Sequence, residues 1–102
     1  MKNKINENFL EELYSVIQKR AKGKDKKSYT KHLIKKGKDK IAQKIAEEST
    51  ELIIDYLNGS KKRVIEEASD LIYHLLVMLY SRKITLEDIK KELSKRKNVR
   101  RQ

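Results

Sequence analysis

Apolar residues recur at spacings of three and four along nearly the whole chain, the period of helices that bury one face. Leu10, Leu13, Tyr14 and Ile17 share such a face behind Asn8, a residue type that caps helix N-termini. Leu33 and Ile34 follow Thr30, read as the cap of a short helical turn that Gly37 ends. Asp39 is expected to cap a long helix reaching about Asn58, with Ile41, Ile45, Leu52 and Tyr56 as its core stripe. Asn58-Gly59 is a stop signal, since Gly accepts the left-handed conformation without a Cβ clash. Ser60 caps the next helix, whose pattern runs through Val64, Ala68, Leu71, Ile72, Leu75, Leu76 and Leu79. Thr85-Leu86-Glu87-Asp88 resembles a capping box with Asp in place of Glu, and opens a last helix with Leu86, Ile89 and Leu93 inward. The run AKGKDKK (21–27) reads as a solvated, mobile loop, and KRKNVRR (95–101) as a frayed basic tail.

With no Pro, three Gly and no sustained β-type alternation, the class is all-α, a small helical bundle built on a long antiparallel hairpin. A length of 102 residues suits one domain, 1–102, with its core at about 9–96. So short a chain has more apolar helix surface than a two-helix hairpin hides, and a homodimer is expected to cover it. The absence of Cys excludes a disulfide scaffold, a thiolate zinc site and a cysteine nucleophile. Glu7, Glu11 and Glu12 interrupt the first twenty residues, which disfavours a secretory signal, and the longest apolar stretch, Leu75 to Tyr80, is far short of a membrane span. A cytoplasmic protein without membrane contact is the expectation. The net charge of +11 fits a polyanionic partner, either nucleic acid or a phosphate-rich small molecule, but a Lys-rich composition explains it equally well.

The two long helices carry the informative chemistry. Glu48 and Glu51 lie three residues apart, on neighbouring turns of one face, and Glu67 and Asp70 repeat that spacing. Around Gly59 as the centre of a hairpin the pairs are mirrored: Glu51 and Glu67 stand eight residues from the turn, Glu48 and Asp70 eleven. At about 1.5 Å rise per residue, both pairs match in height, roughly 12 and 16 Å from the turn. Four carboxylates facing one another repel strongly and call for a cation. Oxygen-only ligands suit Mg²⁺ or Mn²⁺ rather than zinc, and such a site suits hydrolysis of a phosphoanhydride. A single Glu on a Lys-rich helix is ordinarily a solvated residue; the mirrored pairing is what lifts these four above that reading.

Glu47-Glu48-x-x-Glu51, fifteen residues, then Glu67-x-x-Asp70 resembles the EExxE…ExxD signature of MazG-like all-α nucleoside triphosphate pyrophosphohydrolases. Residues 28–53, SYTKHLIKKGKDKIAQKIAEESTELI, and 66–89, EEASDLIYHLLVMLYSRKITLEDI, are similar to the phosphoribosyl-ATP pyrophosphohydrolases of histidine biosynthesis. Ala46, where the family often has Gly, and the Lys-rich loop before Ser28, which lacks the usual Pro, are departures. The resemblance implies ATP-type nucleotide binding and cleavage of the α–β phosphoanhydride of 1-(5-phosphoribosyl)-ATP, giving 1-(5-phosphoribosyl)-AMP and pyrophosphate. It implies Glu48, Glu51, Glu67 and Asp70 as ligands of Mg²⁺ (or Mn²⁺), with Glu47, Glu48 and Glu51 as the catalytic carboxylates and Glu47 either orienting the attacking water or supporting a ligand from behind. Lys40 and Lys44 are the candidates for phosphate contact, Tyr29 and Thr30 for shaping the nucleotide pocket, and His74 for touching substrate or a ligand carboxylate. Arg20 and Arg82 are further phosphate candidates. Some relatives are fused to a cysteine-dependent zinc cyclohydrolase, an activity that the length and the missing Cys exclude here.

Two other readings stand beside this one. The same signature serves enzymes that destroy dNTPs or damaged nucleotides. From a different class, a small basic helical protein could bind nucleic acid, but interleaved aromatics and helix-turn-helix spacing are missing, so nucleic acid is not an expected partner.

Overall fold

The structure is a computed structural model that describes Ile5 and residues 7–98. Its elements are α1 (Phe9–Lys22), α2 (Tyr29–Lys36), α3 (Lys38–Asn58), α4 (Lys61–Ser81) and α5 (Leu86–Asn98), with no strand among the described residues. The all-α expectation holds, and the paired 21-residue helices α3 and α4 form the hairpin at its centre.

Local chemistry sets most boundaries, in places through other residues than the pattern suggested. Asn8 occupies the N-cap of α1, its carbonyl accepting the Glu12 N–H at 2.9 Å. The cap of α2 is Ser28, whose hydroxyl accepts the Lys31 N–H at 3.2 Å; Thr30 lies inside the helix. Helix α3 starts at Lys38 behind Gly37, so Asp39 sits in the first turn instead of capping it. Gly37 takes φ 98° and ψ −174°, a conformation open essentially to Gly alone, and it lets α2 turn into α3 with no intervening loop. Gly59 does stop α3, but in extended backbone (φ −94°, ψ −179°) rather than the left-handed form. What requires Gly there is space: a Cβ would lie 2.6 Å from Asp55 Oδ1 and 2.9 Å from both Asp55 Cα and its carbonyl oxygen. Ser60 caps α4 as expected, accepting from Arg63 N–H at 3.1 Å. The capping box of α5 is reciprocal: Thr85 N–H donates to Asp88 Oδ2 (3.0 Å) and Asp88 N–H to Thr85 Oγ1 (3.1 Å). Helix α5 continues through Asn98, so the first part of the basic tail is helical; residues 99–101 lie outside the described residues.

The core gathers Tyr14 and Ile17 of α1, Leu33 of α2, Ile41 of α3, and Leu76 and Val77 of α4. Ile41 begins its helix and Leu76 and Val77 end theirs, so α1 and α2 pack on the open end of the hairpin. The Tyr14 ring meets Tyr80 edge-on at 6.2 Å, and its hydroxyl donates to the Ile84 carbonyl at 2.6 Å, fixing the turn into α5. The other end of the hairpin is bare. Tyr56, expected in the core stripe, is 76 % exposed; Leu93, expected inward, is 56 % exposed, and Leu10, Ile72 and Leu75 are also exposed. These positions have correct helical spacing, but among the described residues no helix covers them. A radius of gyration of 15.5 Å, against about 13 Å for a compact chain of this length, reflects that projecting tip. Among the described residues no helix is long and apolar enough to cross a membrane.

Candidate active site

Between the core and the bare tip, α3 and α4 turn acidic faces toward each other. One carboxylate oxygen each from Glu48, Glu67 and Asp70 lies within 4.8 Å of the others, although 22 residues separate the first from the last. Of the two mirrored pairs, Glu48 and Asp70 are brought together, with Glu67 beside them. Glu51, expected as a fourth member, is exposed and is not among these three, though it lies close enough to Glu67 to push its carboxyl upward. Glu48 and Glu67 are buried, and Oε1 of each is a buried oxygen with no hydrogen-bond partner. Desolvated carboxylate oxygens are costly unless something positive or protic meets them. Burial, foremost, then the Glu51 hydrogen bond and charge, push the Glu67 carboxyl above its ordinary value, against the pull of Arg63. A divalent cation taking oxygen ligands answers the two unpartnered oxygens and the crowded negative charge together.

Cations from the protein flank the cluster on both sides. Lys44 Nζ lies 3.6 Å from Glu48 Oε2 and 3.7 Å from Glu47 Oε1. Burial alone would pull the Lys44 ammonium down, but Tyr29, Glu48 and Glu47 outweigh it and hold it above its ordinary value. Glu47 itself faces outward; the Gln43 amide donating to it at 2.9 Å, with Lys44 and Lys40 near by, holds its carboxyl below its usual range. Lys40 therefore stands on the Glu47 side of the helix. On the tip side, Arg63 pairs with Glu67 (2.8 Å), Glu66 (3.0 Å) and, across the hairpin, Asp55 (3.7 Å). Sequence reasoning passed over Arg63, although its i,i+4 relation to Glu67 was a usable signal.

Behind Asp70 the remaining candidates form a linked set. His74, one turn on, has Nδ1 at 2.7 Å from the Asp70 carbonyl oxygen, which only an N–H can satisfy, so Nε2 accepts the Tyr29 hydroxyl at 2.7 Å. Burial chiefly raises the Tyr29 phenol above its ordinary value, with Lys44 opposing and Glu48 adding to it. Thr30, 1 % exposed, hydrogen-bonds the Tyr73 hydroxyl, which also accepts Arg20 Nη1 at 3.2 Å. Thr30 therefore lines the site through Tyr73, not as a cap. Tyr73, partly buried against the core, is a polar link as well. These groups border a cavity of about 800 Å³ that opens from Asp70 and His74 toward the C-terminal end of α1. Arg82 lies beyond the end of α4, about 18 Å along the helix from Asp70 at 1.5 Å per residue, and takes no part.

Residues 10–97 match the phosphoribosyl-ATP pyrophosphohydrolase family. The chain belongs to that family. It is 49 % identical, over 90 % of its length and 97 % of the relative's, to a phosphoribosyl-ATP pyrophosphatase of Sulfolobus acidocaldarius. Identity to the phosphoribosyl-ATP pyrophosphatase of Clostridium novyi is 46 %, over 86 % of this chain and 80 % of that one. The histidine biosynthesis bifunctional protein HisIE of Caldanaerobacter subterraneus is 47 % identical over 85 % of this chain, which spans 42 % of that longer protein. The acidic cluster could hold a cation, and the family to which the chain belongs is one of pyrophosphohydrolases.

Proposed function

We propose that the chain hydrolyses the α–β phosphoanhydride of 1-(5-phosphoribosyl)-ATP, with Glu48, Glu67 and Asp70 holding Mg²⁺ or Mn²⁺ and Glu51 supporting them through Glu67. The observation that carries this reading is the pair of buried, unpartnered oxygens of Glu48 and Glu67 beside Asp70, in a chain of this family. When bound, the cation neutralises phosphate charge and polarises the phosphoryl oxygens.

The chain's own residues supply the rest. Glu47 stays ionised at neutral pH and, through Lys44, stands beside Glu48, where it orients the attacking water. Lys44 offers its ammonium to the triphosphate, with Lys40 one turn behind it on the Glu47 side. The Tyr29 hydroxyl, held by His74, and Tyr73, held by Thr30 and Arg20, form a wall for the nucleotide. Water adds to phosphorus as the bridging P–O bond breaks; pyrophosphate leaves, and the proton from water passes to a carboxylate and then to solvent.

The working unit we infer is a homodimer of one-domain chains acting in the cytoplasm. Ile53, Ile54 and Leu57 on α3, with Ile65, Ile72 and Leu75 on α4, are exposed apolar residues that a second copy would cover. Pyrophosphate release from 1-(5-phosphoribosyl)-ATP, measured with Mg²⁺ and with EDTA and set against a dNTP panel, tests the proposal. Activity lost in EDTA and confined to the phosphoribosyl substrate is expected. Equal turnover of dNTPs, or full activity in EDTA, overturns it.

A further inference from the structure

The cavity beside the acidic cluster has two electrical ends. Asp70 closes one of them, next to Glu48 and Glu67. Lys19, Arg20 and Lys24, from the C-terminal turn of α1 and the loop after it, line the other. Arg20 is not a loose surface cation: its Nη1 donates to the Tyr73 hydroxyl at 3.2 Å, and Tyr73 is bonded to the fully buried Thr30. That chain of contacts fixes one edge of the guanidinium and leaves its other N–H groups for an anion, the planar fork that phosphate recognition favours. Asp25, the carboxylate on this side, accepts the Lys27 backbone N–H at 2.9 Å and so is turned back on its own loop.

A substrate carrying phosphate at both extremities matches such a cavity, with the chain to be cleaved at the acidic, cation-binding end and a phosphate monoester at the basic end. We propose that Arg20, with Lys19 and Lys24, is the subsite for the phosphate monoester of the ribosyl group, and so selects phosphoribosylated nucleotides over plain nucleoside triphosphates. This deepens, and rests on, the reading of the acidic cluster as the hydrolytic site. A second basic patch, Lys26, Lys31, His32 and Lys35, shares Lys24 with this end and is the natural rival location, but among its members Lys31 already donates to the Gly23 carbonyl, and neither Asp70 nor the tyrosines border it.

The test uses ribose 5-phosphate and the intact chain in EDTA, so that it needs neither metal nor turnover. Titration by calorimetry is expected to show binding of ribose 5-phosphate and none of ribose. R20Q and K19Q should each weaken that binding at least roughly tenfold, the weight of one charge-assisted contact to an anion, while K35Q leaves it unchanged. Circular dichroism confirms that each variant keeps its helices, and K19Q, at a residue that lines this cavity and not the rival patch, stands in if R20Q does not fold. No binding to the wild type, equal binding of ribose, or loss confined to K35Q overturns the proposal. Pyrophosphate release assayed in parallel separates the two readings: an active wild type with unaltered R20Q sinks the subsite alone, and binding without activity sinks the hydrolytic reading alone.

Discussion

Tyr29 and His74, 45 residues apart on α2 and α4, are joined by a 2.7 Å hydrogen bond that the phenol donates to Nε2. Because His74 Nδ1–H is committed to the Asp70 carbonyl, the imidazole has one tautomer and one orientation, and Nε2 is held by Tyr29. Tyr29→Phe removes the donor and leaves a nitrogen of the buried His74 unpartnered, a loss of about 1–3 kcal/mol. We expect a melting temperature several degrees lower and a raised KM, both measurable on the same preparation. An unchanged melting temperature would mean that the pair contributes nothing to the fold.

Glu51→Gln separates charge from shape at the acidic cluster. Gln keeps the shape and brings an amide N–H that can donate toward Glu67, while removing one of the negative charges that push the Glu67 carboxyl up. Stability without metal should therefore hold or rise, while turnover falls at least roughly a hundredfold. Mg²⁺ should raise the melting temperature of the wild type by mass action, and much less that of Glu48→Gln. Thermal melts with and without Mg²⁺, beside pyrophosphate release, check all three outcomes.

The two turn glycines should fail for different reasons. Gly37→Ala meets no atom within 4 Å but forces a side chain into φ 98°, costing about 1–3 kcal/mol. Gly59→Ala has ordinary φ but drives its Cβ against the Asp55 backbone, so it should splay the hairpin tip and loosen the Arg63–Asp55 pair. Raising the salt concentration should then cost the Gly59 variant less stability than it costs the wild type, and make no such difference for the Gly37 variant.

The capping box gives a pH signature. The Thr85 backbone N–H, and then the Thr85 side chain, hold the Asp88 carboxyl below its ordinary value. A lowered folded-state pKa means stability that is present above the unfolded pKa of about 4 and is lost as pH falls through the folded value. The melting-temperature gap between wild type and Asp88→Asn should be open at pH 7 and closed near pH 2. Thr85→Ala removes the other half of the box and should cost about 1 kcal/mol at neutral pH.

Helix existence and the mirrored acidic pairs were legible because both depend on spacing along one chain. Which residue caps was less so: Ser28 and Thr30 are chemically interchangeable acceptors, and only the backbone path decides between them. Tyr56 and Leu93 misled because periodicity reports which side of a helix is apolar, not whether anything lies against it. Spacing gives the height of Glu51 along its helix but not which neighbour its side chain meets, and it stands beside Glu67 without joining Glu48 and Asp70. Arg63 was hidden by abundance, one basic residue among 26.

The exposed tip residues yield a prediction about assembly. Light scattering at micromolar concentration should return the mass of two chains, and an Ile53→Asp, Leu57→Asp double variant should return one while keeping its helices. A wild-type monomer would remove the homodimer reading.

The acidic cluster and the basic end of the cavity are encoded over very different distances. Glu48, Glu67 and Asp70 belong to a single hairpin, whereas Arg20 reaches Tyr73 across 53 residues and only when α1 is docked. Nearby segments meet sooner and at lower entropic cost than distant ones. The hairpin can therefore bring its three carboxylates together before α1 closes over the cavity, and fraying of α1 would release Arg20 from Tyr73, and with it the proposed phosphate subsite, while leaving the carboxylates in register. Discrimination between substrates is the part of this protein that partial unfolding would erode first.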